Sequence, residues 1–289
     1  MRHILFGLVL SLMLSACSFK SEPVITNEYV SRVKELTAHG LDALHQGRLV
    51  SSQQSLEQAL KAAWLSDDFV WIGLAQYHLG ALYMTQGKTD QAVDLFQRAK
   101  KNALITHDQR TLWRSLYALA LYSEQTGVVV LDEGLPVLNR DMPADVYISA
   151  GRLAQLKHQS DKAKAAYEYV LKLPRANKGR LYEFAQANLG LALLAREQGD
   201  SGLTKRYSNE VIKLSQQAGF PMLAAHAHLL QGKMFRDSVQ LDNALHMYEA
   251  LGDKFGQFDA LDSLIDVAEE QGNKGAMLHW QQLRESTTQ

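Results

Sequence analysis

Cysteine is almost absent from this chain, since Cys17 is the only one among 289 residues. One cysteine cannot close an internal disulfide, so the sequence excludes a fold held together by a disulfide framework. An excess of charge of one sign is also missing, because 30 Lys and Arg residues stand against 31 Asp and Glu residues, for a formal net charge of −1. We therefore expect no general binding to nucleic acid or to an anionic membrane surface.

The N-terminus also lacks an apolar run long enough to span a membrane. Residues 4–14 form an apolar run of 11 residues. At about 1.5 Å per residue, a helix of this length cannot cross a hydrocarbon core roughly 30 Å thick. Arg2 precedes the run, and the small residues Ser15 and Ala16 follow it. This arrangement predicts a cleaved export signal rather than a transmembrane helix.

The run leads into Leu14-Ser15-Ala16-Cys17, a stretch that resembles the bacterial lipobox. The resemblance implies that residues 1–16 are a lipoprotein signal peptide and that Cys17 becomes a lipidated N-terminus with acyl chains such as palmitate. An aspartate after the cysteine tends to retain lipoproteins in the inner membrane, so Ser18 implies an anchor in the outer membrane, on its periplasmic face. Residues 17–27 are expected to be the lipidated cysteine and a flexible tether. The alternatives are an ordinary signal peptide with an incidental cysteine, or a buried cytosolic thiol.

Beyond the tether, similar segments recur along the chain. Gly47, Gly87 and Gly127 lie at intervals of 40 residues, and each follows one amphipathic run and precedes another. Glycine just after a periodic apolar segment is typical of a helix end. The spacing therefore predicts a series of helical hairpins.

The clearest copy resembles the tetratricopeptide repeat (TPR), on the residues Leu79, Gly80, Tyr83, Gly87, Ala92, Phe96 and Ala99. The resemblance implies an all-α fold, a right-handed TPR solenoid of about seven helical hairpins over residues 28–286. The third repeat is expected to be irregular, because three consecutive valines and Pro136 follow its first helix. An irregular all-helical domain with coincidental periodicity is the alternative.

Two stretches resemble functional motifs, one a catalytic serine and the other a metal-binding histidine pair, but neither has the arrangement that its motif requires. Gly199-Asp200-Ser201-Gly202 resembles the surroundings of some catalytic serines, but a nucleophile elbow follows a strand and this stretch follows a helical segment. We expect Asp200 or Ser201 to cap the next helix instead. His226 and His228 are two residues apart, which places them on different faces of a helix. The sequence therefore predicts no catalytic residue, no metal site and no cofactor, and hence a protein that is not an enzyme.

Binding is the remaining role. In TPR proteins the first helix of each repeat lines the concave face, and this register gives the partner-binding candidates Tyr77, His78, Met84, Arg114, Tyr117, Arg152, Asn188, Lys233 and Arg236. An acidic stripe of the last repeat adds the candidates Asp262, Asp266 and Glu269. This stripe is either a solvated helix face or a contact for a basic partner segment. Lys233 and Arg236 lie one turn apart, so they are expected to meet a carboxylate.

The expected function is that of a lipid-anchored periplasmic adaptor or scaffold, which binds a protein or peptide partner in cell-envelope biogenesis. A scaffold for a peptidoglycan enzyme or a protease is the first expectation, and a pilotin-like factor in pilus or secretion assembly is the second. A receptor for a small ligand or a glycan is the alternative from another class.

Overall fold

Thirteen α-helices and no strand make up the part of the chain that the computed structural model describes, residues 27–126, 138–139, 141–174 and 180–288. The helices are α1 (Glu28–His45), α2 (Leu49–Ser66), α3 (Phe69–Thr85), α4 (Thr89–Thr106), α5 (Gln109–Thr126), α6 (Ala144–Leu156), α7 (Ser160–Lys172), α8 (Leu181–Glu197), α9 (Ser201–Ala218), α10 (Pro221–Phe235), α11 (Ser238–Leu251), α12 (Lys254–Glu270) and α13 (Lys274–Thr288). The prediction of an all-α fold is confirmed. The proposed signal peptide, Cys17 and nearly all of the tether lie outside the described residues, and Asn27 caps the start of α1.

The helices begin and end where the sequence offers capping groups. The Asp200 carboxylate accepts a hydrogen bond from the Leu203 N–H at 2.9 Å, so the GDSG stretch starts α9 as a helix cap. Gly47 and Gly87 follow α1 and α3 with φ of 72° and 73°, in the left-handed region that side chains other than glycine adopt at a cost. Both glycines therefore end helices, as predicted.

The helices pack in pairs that are neighbours along the chain. The six pairs are α1 with α2, α3 with α4, α6 with α7, α8 with α9, α10 with α11, and α12 with α13. A connection of two or three residues makes the two helices of each pair run antiparallel, so each pair is a helical hairpin. Helix α5 stands third in this series. The expected irregular second helix of that repeat falls mostly on residues 127–137, outside the described part of the chain.

Large side chains fill the space between neighbouring hairpins, opposite glycines. The ring of Tyr167 on α7 is fully buried between Gly151 on α6 and Gly190 on α8. A methyl group would lie 2.6 Å from this ring if added at Gly151 and 2.3 Å from it if added at Gly190. Phe96 packs in the same way, since a methyl group on Gly80 would lie 2.9 Å from its ring. The absence of a side chain at these glycines lets the helices close upon the aromatic ring.

The hairpins form a curved row, with one set of helices on its inner side. The first helices of neighbouring hairpins touch one another, in the pairs α1–α3, α3–α5, α6–α8, α8–α10 and α10–α12. We call these seven helices the inner helices. The first hairpin and the hairpin of α10 and α11 also meet, because a methyl group on Gly47, between α1 and α2, would lie 2.5 Å from the carbonyl oxygen of Leu251 at the end of α11. The row therefore curves round until its first turn rests against the turn before α12.

The glycine opposite Tyr167 gives a test of the packing between hairpins. We expect Gly190→Ala to lower the free energy of unfolding by about 1–3 kcal/mol, because the methyl group overlaps a buried ring. Gly202→Ala is the matched control, since a methyl group there would lie 3.5 Å from its nearest neighbour. Alanine exceeds glycine in helix propensity, so the control is expected to gain up to about 1 kcal/mol. Urea unfolding measures the free energy of unfolding of both variants. Equal changes in the two variants would contradict this account of the packing.

The contact between the first hairpin and the hairpin of α10 and α11 gives a second test. Gly47→Ala and Gly87→Ala both place a side chain in the left-handed region, at a cost of about 1–2 kcal/mol. Only Gly47 faces another turn, because nothing lies within 4 Å of a methyl group on Gly87. We expect Gly47→Ala to lose more stability and to increase the radius of gyration in small-angle X-ray scattering, with Gly87→Ala keeping the wild-type radius. An unchanged radius for both variants would show that the contact does not hold the row closed.

Candidate functional site

Five of the seven inner helices line an open cavity of about 950 Å³. They are α5, α6, α8, α10 and α12, and the lining is completed by Ser160 and Tyr167 of α7 and by His158 and Gln198 of the connections. These inner helices belong to five successive repeats, and their adjacency in space follows from the stacking described above. The lining is mixed in chemistry: Leu121, Leu189 and Leu229 are apolar, whereas Arg152 and Lys233 carry charge. A surface of this kind can bury apolar groups and at the same time orient polar ones.

Arg152 of α6 extends over an aromatic ring of the neighbouring inner helix. Its guanidinium carbon lies 5.5 Å from the ring centroid of Tyr117 on α5, within the range of a cation–π contact. Burial lowers the pKa of Arg152, nearby tyrosines raise it, and the net shift is upward. The guanidinium is therefore charged at any physiological pH.

Arg114 of α5, one turn before Tyr117, has a similar position but a different partner. It lies 5.7 Å from the ring centroid of Tyr77 and donates to the Asp145 carboxylate at 2.6 Å. Arg110 contacts the same carboxylate at 3.0 Å. Asp145 belongs to the first turn of α6, so this ion pair ties α5 to α6.

A chain of hydrogen bonds joins α7, α6 and α8 along one wall of the cavity. The Tyr167 hydroxyl donates to Gln155 Oε1 at 3.3 Å, and Gln155 Nε2 donates to the Glu197 carboxylate at 2.6 Å. Burial raises the pKa of the Tyr167 hydroxyl, so this group remains a neutral donor. Glu197 therefore has a donor within the protein.

The two basic candidates on and after α10 do meet carboxylates, and these belong to the same chain. Lys233 donates to Asp259 of α12, and Arg236 lies 2.6 Å from Glu270 at the end of α12. The acidic candidate Asp262 accepts hydrogen bonds from Arg284 of α13. Three of the five acidic side chains of α12 thus have a cationic partner from the preceding or following part of the chain, which reduces the like-charge crowding apparent in the sequence. Asp266 and Glu269 are exposed and form no ion pair with any residue in the described part of the chain.

The remaining candidates fall into two groups. Tyr77 and His78 contact each other, with ring centroids 5.3 Å apart on α3. Met84 packs against the apolar cluster around Phe96, and Asn188 is buried with its amide donating to the Phe184 carbonyl of its own helix. None of these four candidates lines the cavity.

The face of α8 that lines the cavity is rotated about the helix axis from the face that carries the predicted residue Asn188. Gln186, Leu189 and Leu193 face the cavity, at the helical spacing of three and four residues. This spacing is visible in the sequence. The predicted Asn188 belongs to the adjacent, buried face of α8.

The two histidines of α10 have separate environments. His226 lines the cavity, and burial lowers its pKa, an effect that Asp253 opposes. His228 Nδ1 lies 2.6 Å from Gln240 Oε1 of α11. Across the described residues, no group of three His, Cys, Asp or Glu side chains is arranged to hold a metal ion.

Within the described residues, no helix combines the length and the apolar character that crossing a membrane requires. The chain matches no protein-family model, and no curated protein is significantly similar to it.

Proposed function

We propose that this protein is a non-enzymatic TPR adaptor, anchored by lipid at Cys17 to the periplasmic face of the outer membrane, which binds a segment of a partner protein in its cavity. One observation carries the proposal: inner helices from five successive repeats contribute to a single cavity of about 950 Å³. The recurring glycines, the paired helices and the alternation of inner and outer helices support the TPR class.

The composition of the cavity favours a protein segment as its occupant. Leucines alternate with hydrogen-bonding groups around the wall, for example Leu193 with Gln186 and Leu229 with His226. An extended segment presents side chains and free backbone N–H and C=O groups together, so it can use both kinds of surface. A partner that takes part in peptidoglycan synthesis or in envelope proteolysis is the first candidate. A pilus or secretion component, bound in a pilotin-like manner, is the second.

A small ligand or a glycan is the other class of occupant that the cavity could hold. Its volume lies at the upper end of the range of about 300–1,000 Å³ found for small-molecule sites. Tyr117 lines it and is half-buried, and its ring and hydroxyl group are of the kind that sugars and aromatic ligands use. Thermal-shift measurements with muropeptides separate the two classes, because stabilisation by sugars and by no protein segment would favour the receptor.

Site-specific photo-crosslinking tests the adaptor directly. A photoreactive residue in place of Leu193, on the cavity wall, is expected to give a covalent adduct with one segment of one envelope protein. The same residue in place of Lys164, an exposed position on α7, is the control and is expected to give none. Mass spectrometry of the adducts identifies the segment. Equal adducts from both positions, or none from Leu193, would contradict binding in the cavity.

The anchor has its own test. Cys17→Ser removes the thiol that receives the diacylglycerol, so we expect an unprocessed, unlipidated precursor and loss of the acylated form from the outer-membrane fraction. Metabolic labelling with a palmitate analogue, followed by membrane fractionation, measures both. Ser18→Ala leaves the thiol in place and should still be labelled. A labelled and processed Cys17→Ser variant would show that the anchor lies elsewhere.

A further inference from the structure

Arg152 differs from Lys233, which also lines the cavity, in what surrounds it. Lys233 is paired with Asp259, whereas Arg152, like Arg196 in the last turn of α8, lines the cavity without an ion pair among the described residues. Arg114, which lies outside the lining, is paired with Asp145. Arg152 forms no ion pair with any carboxylate in the described part of the chain, and its guanidinium lies over the Tyr117 ring instead. A guanidinium that faces a cavity without a counter-ion is available to an anion from outside the chain.

The groups that act electrostatically on the pKa of Arg152 are all tyrosines, namely Tyr117, Tyr167, Tyr182 and Tyr77. Burial raises the pKa of Tyr77, Tyr167 and Tyr182 above the ordinary value near 10. These hydroxyls are therefore neutral at physiological pH and contribute no negative charge. The positive charge of Arg152 therefore has neutral hydroxyls around it and no carboxylate in direct contact among the described residues.

The charge of Arg152 acts on groups of several inner helices. It opposes the upward shift that burial gives the pKa of Tyr77 on α3 and of Tyr182 on α8, and it adds to the downward shift that burial gives the pKa of His226 on α10. These residues lie on three inner helices other than α6. An anion near Arg152 would thus sit where several repeats converge, rather than at one edge of the row.

The carboxylates that line the same cavity do not neutralise this guanidinium. Glu197, in the last turn of α8, accepts a hydrogen bond from Gln155, and Asp259 is paired with Lys233. Glu124 is exposed near the end of α5. Glu124 and Glu197 have no basic partner among the described residues, so they repel a ligand more strongly as its negative charge increases.

We propose that Arg152 is the anchor for a single carboxylate of the ligand, held in the cavity by the guanidinium above Tyr117. The inference rests on the proposed binding function and names the chemical group that is recognised. A carboxylate carries one negative charge, which matches one guanidinium, and its two oxygens fit the forked N–H donors of arginine. A phosphate monoester carries nearly two charges, so the neighbouring acidic groups disfavour it. The carboxylate belongs to a chain terminus or to an Asp or Glu side chain of the bound segment.

Arg114 provides a matched control for the experiment, because it also lies over a tyrosine ring but is already paired with Asp145. The lipidated full chain in detergent is titrated with benzoate and with its neutral isostere benzamide, and the Kd of each is measured by NMR. We expect wild type and Arg114→Met to prefer benzoate, and Arg152→Met to lose at least about tenfold in benzoate affinity with little change for benzamide. Arg152→Lys keeps the charge and is expected to retain part of the preference, which shows that the loss in Arg152→Met is a loss of charge and not of folding.

The thermal stability of the two methionine variants gives an independent readout. Arg152→Met removes an uncompensated charge, so its Tm is expected to equal or exceed that of wild type. Arg114→Met breaks an ion pair with a carboxylate that is 17% exposed, so its Tm is expected to fall. A lower Tm for Arg152→Met than for Arg114→Met would show that Arg152 is a structural residue and would overturn the inference.

Three further probes identify the source and the charge of the anion. A short peptide with a free C-terminus is compared with its C-terminal amide, and an amidated peptide with an internal glutamate is compared with its glutamine version. A charge preference that depends on Arg152 in either pair supports the anchor and names its source. The carboxylate anchor would be overturned by equal affinities within both peptide pairs, together with equal affinities for benzoate and benzamide. Tighter binding of phenyl phosphate than of benzoate would overturn the choice of a single negative charge.

This test separates the anchor from the adaptor function. Adducts at Leu193 that persist in Arg152→Met would mean that the cavity binds a protein segment without a carboxylate anchor. A benzoate preference that depends on Arg152, without any protein adduct at Leu193, would keep the anchor and exclude the adaptor. The cavity would then be a site for a small organic acid.

Discussion

The contact on which the structure depends is a large side chain of one helix pressed against a glycine of the helix before it. Gly40 and Leu56, Gly80 and Phe96, and Gly151 and Tyr167 are each sixteen residues apart, and each glycine lacks room for a methyl group. The spacing keeps the same relation between the two helices of three hairpins. Tyr167 also reaches Gly190 of the following hairpin, so one ring sets the distances both within and between repeats. The angle at which successive hairpins stack follows from these distances.

The cavity is a consequence of that stacking. Because the inner helices approach one another, their polar side chains must find partners across repeats or remain facing the space that the curve encloses. Arg114 with Asp145 and Lys233 with Asp259 are partners of the first kind. Gln155 and Glu197 satisfy each other across α6 and α8. These pairs fix neighbouring repeats relative to one another, and they also decide which polar groups remain available to a ligand.

Local spacing was sufficient to predict the hairpins, because a helix face and a helix end depend on residues a few positions apart. The glycines after α1 and α3 and the start of α9 at Asp200 follow from such spacing. Contacts between repeats depend on the angle of stacking, which the pattern does not contain. For this reason the partners of Lys233 and Arg236 in α12, and the contact of Gly47 with Leu251, were not predicted. A rotation of α8 by less than a third of a turn likewise separates the predicted Asn188 from the cavity stripe.

Arg152 lacks the kind of ion pair that Arg114 and Lys233 form on the other inner helices. Those two side chains are paired with carboxylates, whereas the Arg152 guanidinium has tyrosines around it and no counter-ion among the described residues. A charge in such a place lowers stability relative to an apolar residue of the same size. A protein keeps a residue that lowers its stability where that residue has a functional role. The loss of stability is smallest in an open cavity, where water still reaches the charge. The charge pattern of the inner face therefore points to Arg152 as the place where the chain alone is incomplete and an anionic group from a ligand would complete it.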